Sequence, residues 1–184
     1  MSYIPKGGNS KSMFSIDTNL LVYAHNEDSQ YNKRAANFLE RVLNERDEEG
    51  NLSVCLTAQV LMEFVNVITR QNLEKPLTLS EVIKVVNDYL ETGIQIINHR
   101  ETQIKTFLDL LGSVTTRKKV FDIALVASLK DHCISGLYTA NVPDFREFDF
   151  LEVINPLLSD RVDEAHDVHD EHDEDSDGRW GQAR

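Results

Sequence analysis

Cysteine is scarce in this 184-residue chain, which has only Cys55 and Cys133. Neither forms a CxxC pair or stands at ligand spacing from a histidine, which disfavours a disulfide or zinc site. Both lie in or beside apolar, strand-like runs and read as small buried hydrophobes in a reducing compartment. Long hydrophobic runs are also missing, and no stretch approaches the ~20 residues of a membrane span. Residues 1–11 are polar, carry glycine, serine and lysine, and lack the apolar segment of a secretory signal. They read as a flexible extension, and a cytoplasmic protein is expected.

Basic residues are the third deficit. The chain has 19 Lys and Arg against 31 Asp and Glu, for a net charge of −12. The imbalance is concentrated, since the stretch from Asp160 to Arg184 holds ten acids and three bases. The remainder carries a net −5, and four of its acids stand out for other reasons. Charge therefore neither demands nor excludes a polyanionic partner.

What is present suits one domain. At 41% hydrophobic, the chain can bury a sizeable core. Short apolar strands are expected at 12–16, 52–56, 94–97 and 134–138, with a fifth at 151–154. Between them the pattern predicts helices. Asn19–His25 opens one, and Ser29 is placed to cap another through Asn44, with Ala35, Phe38, Leu39 and Val42 at amphipathic spacing. Thr57 is a plausible cap for a helix to about Arg70. Thr78 and Glu81 form a capping box, with Gly93 as the stop beyond Leu90. Asn98 and Glu101 resemble a second capping pattern, for a helix to about Leu111, and 119–132 reads as the last helix. Strands alternating with helices predict an α/β fold with a mostly parallel sheet, whose ligands bind outside the carboxyl ends of the strands.

Asp17, Glu63, Asp122 and Asp144 belong to that edge. Asp17 closes the run Met13-Phe14-Ser15-Ile16, Glu63 interrupts Val60-Leu61-Met62 and Phe64-Val65, and Asp122 lies within Val120 to Ala127. Asp144 follows the fourth strand. A carboxylate buried in apolar surroundings costs several kcal/mol unless it is paired or holds a cation. No Lys or Arg stands at helical spacing to neutralise all four, so a divalent-metal site is the simplest reading. Taken singly, each has an ordinary alternative: helix cap for Asp17, solvent-facing residue for Glu63, helix-dipole partner for Asp122 and turn residue for Asp144.

Taken together, the segments Ile16-Asp17-Thr18-Asn19, Leu61-Met62-Glu63-Phe64, Val120-Phe121-Asp122-Ile123-Ala124-Leu125 and Thr139-Ala140-Asn141-Val142-Pro143-Asp144-Phe145 resemble the PIN domain family. Within it they are similar to the VapC-like toxin ribonucleases of toxin–antitoxin systems. The resemblance runs from about Ser12 to Pro156. It implies a three-layer α/β sandwich with a mostly parallel central sheet, spanning residues 12–157. It also implies a Mg²⁺- or Mn²⁺-dependent endoribonuclease in which Asp17, Glu63, Asp122 and Asp144 are catalytic. Asp17 and Asp122 would be metal ligands, and Asn19, Thr139 and Asn141 would orient carboxylates or touch a phosphate. RNA is the implied substrate and an antitoxin the implied partner, with a homodimer left open and no membrane expected.

Two other readings stay open. One is a PIN-like module that binds RNA or protein without cleaving. The other is a metal-dependent phosphatase, although Asp17-Thr18-Asn19 lacks the second carboxylate of an Asp-x-Asp motif. Arg117-Lys118-Lys119 reads equally as a phosphate contact or as a solvated helix start. Residues 158–184 have the acidic, apolar-poor composition of a disordered tail. Within it His166, His169 and His172 recur every three residues, a spacing that on a helix could bind a transition metal.

Overall fold

The computed structural model describes residues 12–112 and 120–158. The expected N-terminal extension, the basic Arg117-Lys118-Lys119 and the acidic, histidine-bearing tail from Ser159 onward lie outside the described residues. The elements run in order β1 (Phe14–Ile16), α1 (Thr18–His25), α2 (Asn32–Asn44), β2 (Val54–Thr57) and α3 (Ala58–Ile68). They continue with α4 (Leu79–Glu91), β3 (Gln95–Ile97), α5 (Gln103–Leu111), α6 (Val120–Asp131), β4 (Gly136–Tyr138) and β5 (Glu152–Ile154). A short 3-10 turn, Val142–Asp144, joins the last two strands.

All five strands are parallel, in the order β3-β2-β1-β4-β5. Such sheets are covered on both faces, and accordingly all four residues of β2 are buried. The helices form two groups, α1 with α2, α3 and α4, and α5 with α6. The result is the expected three-layer α/β sandwich. Among the described residues no helix is long and apolar enough to cross a membrane.

The strand order locates the crevice. From β1 the chain steps outward to β2 and β3, then returns across the sheet to β4 on the other side of β1. The order therefore reverses between β1 and β4, the place where open α/β sheets bind ligands. This junction is tightly packed. Phe14 pairs with Gly136 across it, and a Cβ on Gly136 would lie 2.4 Å from the Phe14 ring. The ring stacks instead on Tyr138, with centroids 4.7 Å apart.

Local signals set most helix ends. The Thr57 hydroxyl accepts the Val60 amide, and the Thr78–Glu81 capping box is complete. Gly93 follows α4 at φ 78°, a left-handed conformation that suits glycine. Other expectations need correction. Ser29 does not cap α2. Its hydroxyl accepts the Tyr31 amide in a preceding turn, and the helix starts at Asn32. The Asn32 amide is committed elsewhere, closing the end of α1 by donating to the Tyr23 and Ala24 carbonyls. The Asn98–Glu101 pattern does not cap α5 either. Thr102 holds the cap position, yet its hydroxyl donates to Asp131 at 2.8 Å on α6. Cys55 is buried as expected, but Cys133 is exposed, because it occupies the turn that ends α6.

Candidate active site

Asp17 stands immediately after β1, and Thr139 immediately after β4, on the two sides of the reversal point. Asp17 occupies the N-cap position of α1, but its side chain makes no capping hydrogen bond. It points across the sheet edge instead. The buried Thr139 hydroxyl donates to Asp17 Oδ2 at 2.6 Å, and the Asn19 amide donates to the same oxygen at 2.6 Å. Asn19 is held in turn, since its Nδ2 also reaches Thr139 Oγ1 and its Oδ1 accepts the Ala140 amide at 3.1 Å. The ordinary reading of Asp17 as a helix cap therefore fails on geometry.

Glu63 lies on α3 and is half-buried, whereas its neighbour Met62 is exposed. Both carboxylate oxygens are engaged. Thr18 Oγ1 donates to Oε2 at 3.0 Å and Gln59 Nε2 to Oε1 at 2.9 Å. This is no free solvent-facing residue. The same Gln59 nitrogen donates to the Phe121 carbonyl at 2.9 Å, which brings α3 to the first turn of α6. Asp122, the next residue, is half-buried in that turn.

On the other side, Asp144 sits in the 3-10 turn and accepts a hydrogen bond from the Asn141 side chain. The Asn141 backbone N–H donates to Thr139 Oγ1 at 3.0 Å. Hydrogen bonds thus run from Asp144 through Asn141 and Thr139 to Asp17. From Thr18, the adjoining residue, a second set continues through Glu63 and Gln59 to the start of α6. All seven residues singled out in the sequence lie on or beside these two sets.

Electrostatics follow from this packing. Burial pushes the Asp17 carboxyl above its ordinary range; the Thr139, Thr18 and Asn19 donors pull it down, and the Glu63 charge adds to the rise. Hydrogen bonds to a charged group contribute roughly 1.5–3 kcal/mol each. Desolvation of the carboxylate still wins, because every donor is neutral. Among the described residues no Lys or Arg forms an ion pair with Asp17 or Glu63. The donor set is all oxygen, the chemistry that hard divalent cations favour. Among the described residues, however, no three of His, Cys, Asp and Glu converge closely enough to hold an ion as they stand.

Thr18 and Gln59 had no assigned part in the sequence reading. Gln59 lies four residues before Glu63, a spacing that brings two side chains together on a helix. The contact with Phe121 had no local signal. A separate open apolar cavity of about 260 Å³ lies between α1, α2 and α4. Leu39, Leu43, Val85 and Tyr89 help to line it, and none of the four acids does.

No family model matches the chain. Ribonuclease VapC24 of Mycobacterium tuberculosis is 27% identical over 150 residues, covering 80% of this chain and 99% of that protein. Among solved structures, VapBC2 from Rickettsia felis bound to a promoter DNA fragment aligns with a TM-score of 0.55 at 16% identity. That match covers 78% of this chain and 98% of the other. The Mycobacterium tuberculosis sarcin-ricin-loop-cleaving toxin VapC20 aligns at 0.52 and 13% identity, covering 68% and 88%. The fold is that of a PIN domain. Within this PIN fold the chain resembles the VapC-like members along most of its length, with the acidic residues at the carboxyl edge of the sheet.

Proposed function

We propose that this PIN-domain protein is a divalent-metal-dependent endoribonuclease, the toxin of a toxin–antitoxin pair. The observation that carries the reading is the state of Asp17. It is a carboxylate at the point where strand order reverses, beside a second carboxylate, held by neutral donors with its pKa raised. Such a group gains from a cation.

Asp17 and Asp122 would hold the ion, Mg²⁺ or Mn²⁺, and Glu63 and Asp144 would complete the acidic edge. When bound, such an ion supplies Lewis-acid polarisation of a phosphoryl oxygen and a more acidic water. The protein's own part is orientation. Thr139 and Asn19 fix one oxygen of Asp17, Thr18 and Gln59 fix both oxygens of Glu63, and Asn141 holds Asp144. Residues 12–157 constitute the nuclease domain in this reading, RNA is the substrate, and the location is cytoplasmic. The likeness to VapBC2 supports the antitoxin partner.

Purified protein should cleave RNA in Mg²⁺ or Mn²⁺ and stop in EDTA. Asp122→Asn should lower the rate at least ~100-fold, since losing a charge-stabilising group at such a site costs about 3 kcal/mol of barrier. Equal cleavage by wild type and Asp122→Asn would sink the assignment.

A further inference from the structure

Gln59 touches two of the elements that bear the acids of the candidate site. Its Nε2 donates to Glu63 Oε1 at 2.9 Å on its own helix and to the Phe121 carbonyl at 2.9 Å on α6. Both partners are oxygen acceptors, so the orientation of the amide is fixed: only the NH₂ end can face them. Each of its two N–H bonds has one acceptor. The chain position of Phe121 gives the contact its meaning, because Asp122 is the next residue. Helix α6 leans on α5 rather than on α3, so packing alone does not set how near its first turn stands to Glu63.

We infer that Gln59 is a positioning residue that clamps Glu63 against the first turn of α6 and thereby sets the separation of Glu63 from Asp122. This rests on the ribonuclease reading above for its kinetic consequence, though not for its effect on ion binding. The Thr18 hydroxyl holds the other oxygen of Glu63. Without Gln59, the carboxylate would keep a single tether and could turn about it. Replacement by glutamate is the sharper change. Nearly the same shape would then set a carboxylate against both a carboxylate and a carbonyl oxygen, two acceptors in place of a donor.

The test uses the full chain. Gln59→Ala should lower kcat for RNA cleavage by about 10- to 100-fold while KM for RNA stays within about threefold, the signature of a group felt in the transition state rather than in binding. Gln59→Glu should lose at least as much. In a Glu63→Gln background, Gln59→Ala should cost less than about threefold, because residues that act through one another are not additive. A second readout needs no cleavage: the rise in Tm on adding Mn²⁺ should fall by half or more in both Gln59 variants. Should Gln59→Ala fold poorly, the near-isosteric Gln59→Glu gives the same readouts. Full additivity with Glu63→Gln, a change confined to KM, or an undiminished Mn²⁺ effect would each overturn the inference. A wild type that leaves RNA intact would count against the ribonuclease reading alone, and the Mn²⁺ measurement would then decide on Gln59.

Discussion

At the scale of single residues, Asp17 carries a conflict that the fold sustains. Burial raises its carboxyl above the ordinary 3.8, and Glu63 adds to the rise. A group whose folded pKa exceeds its unfolded value gives stability that is complete below the unfolded pKa and lost as pH rises through the folded one. At neutral pH the metal-free protein should therefore be destabilised by its own site. Asp17→Asn should abolish cleavage and yet raise the Tm of EDTA-treated protein at pH 7, a trade of function against stability. The advantage should shrink toward pH 4, where the wild-type carboxyl takes up its proton in both states. An Asn variant less stable than wild type at pH 7, with the gap constant down to pH 4, would return Asp17 to a purely structural role. Asp17, Glu63 and Asp122 stood out in the sequence against apolar neighbours, and Asp144 by its place after the fourth strand. What each touches was not legible, since Thr139, which meets Asp17 from just after the adjacent strand β4, lies 122 residues away in sequence.

Among the elements, ends governed by residues within one turn were readable and those governed by tertiary partners were not. Thr57, the Thr78–Glu81 box and Gly93 act on their own helices. Thr102 and Asn32 are drawn to neighbouring elements, so patterns that looked like caps nearby proved empty. The end of α6 is a case the sequence concealed entirely. The Ile134 amide reaches the Leu129 carbonyl at 2.9 Å, and the Cys133 amide reaches that of Lys130 at 3.1 Å. This is the Schellman arrangement, which favours glycine at its left-handed position. Here Cys133 occupies it, with φ 56°. The left-handed conformation costs a non-glycine residue about 1–2 kcal/mol, and glycine gives back roughly 0.5–1 through its freer unfolded chain. Cys133→Gly should accordingly raise Tm by about 1–4 °C, measured by thermal denaturation followed by circular dichroism. A lower Tm would mean that the thiol makes a contact worth more than the backbone strain.

For the molecule as a whole, the helices on the α1 side are locked together through a second titratable group, and its sign opposes that of Asp17. His25 ends α1, packs on Phe64 of α3 at 5.4 Å between ring centroids and shares a 2.8 Å hydrogen bond with the Tyr89 hydroxyl of α4. Burial lowers its pKa below the ordinary 6.5, and the nearby Asp88 offsets this in part. A histidine depressed in the fold contributes stability that is present above its unfolded pKa and lost as pH falls through the folded value. Acidification below about pH 6.5 should therefore loosen the seam between α1 and α4, even while Asp17 grows easier to accommodate. Comparing variants separates the two. His25→Gln keeps a polar partner for Tyr89 but removes the titration, so its Tm relative to wild type should climb as pH falls from 7.5 to 5. The Asp17→Asn advantage should decline over the same interval or below it, and ions that fill the acidic edge should diminish it at pH 7. If the Tm difference between His25→Gln and wild type stays flat from pH 7.5 to 5, then His25 is not held neutral by the core. The acid sensitivity of the fold would then have to come from its carboxylates.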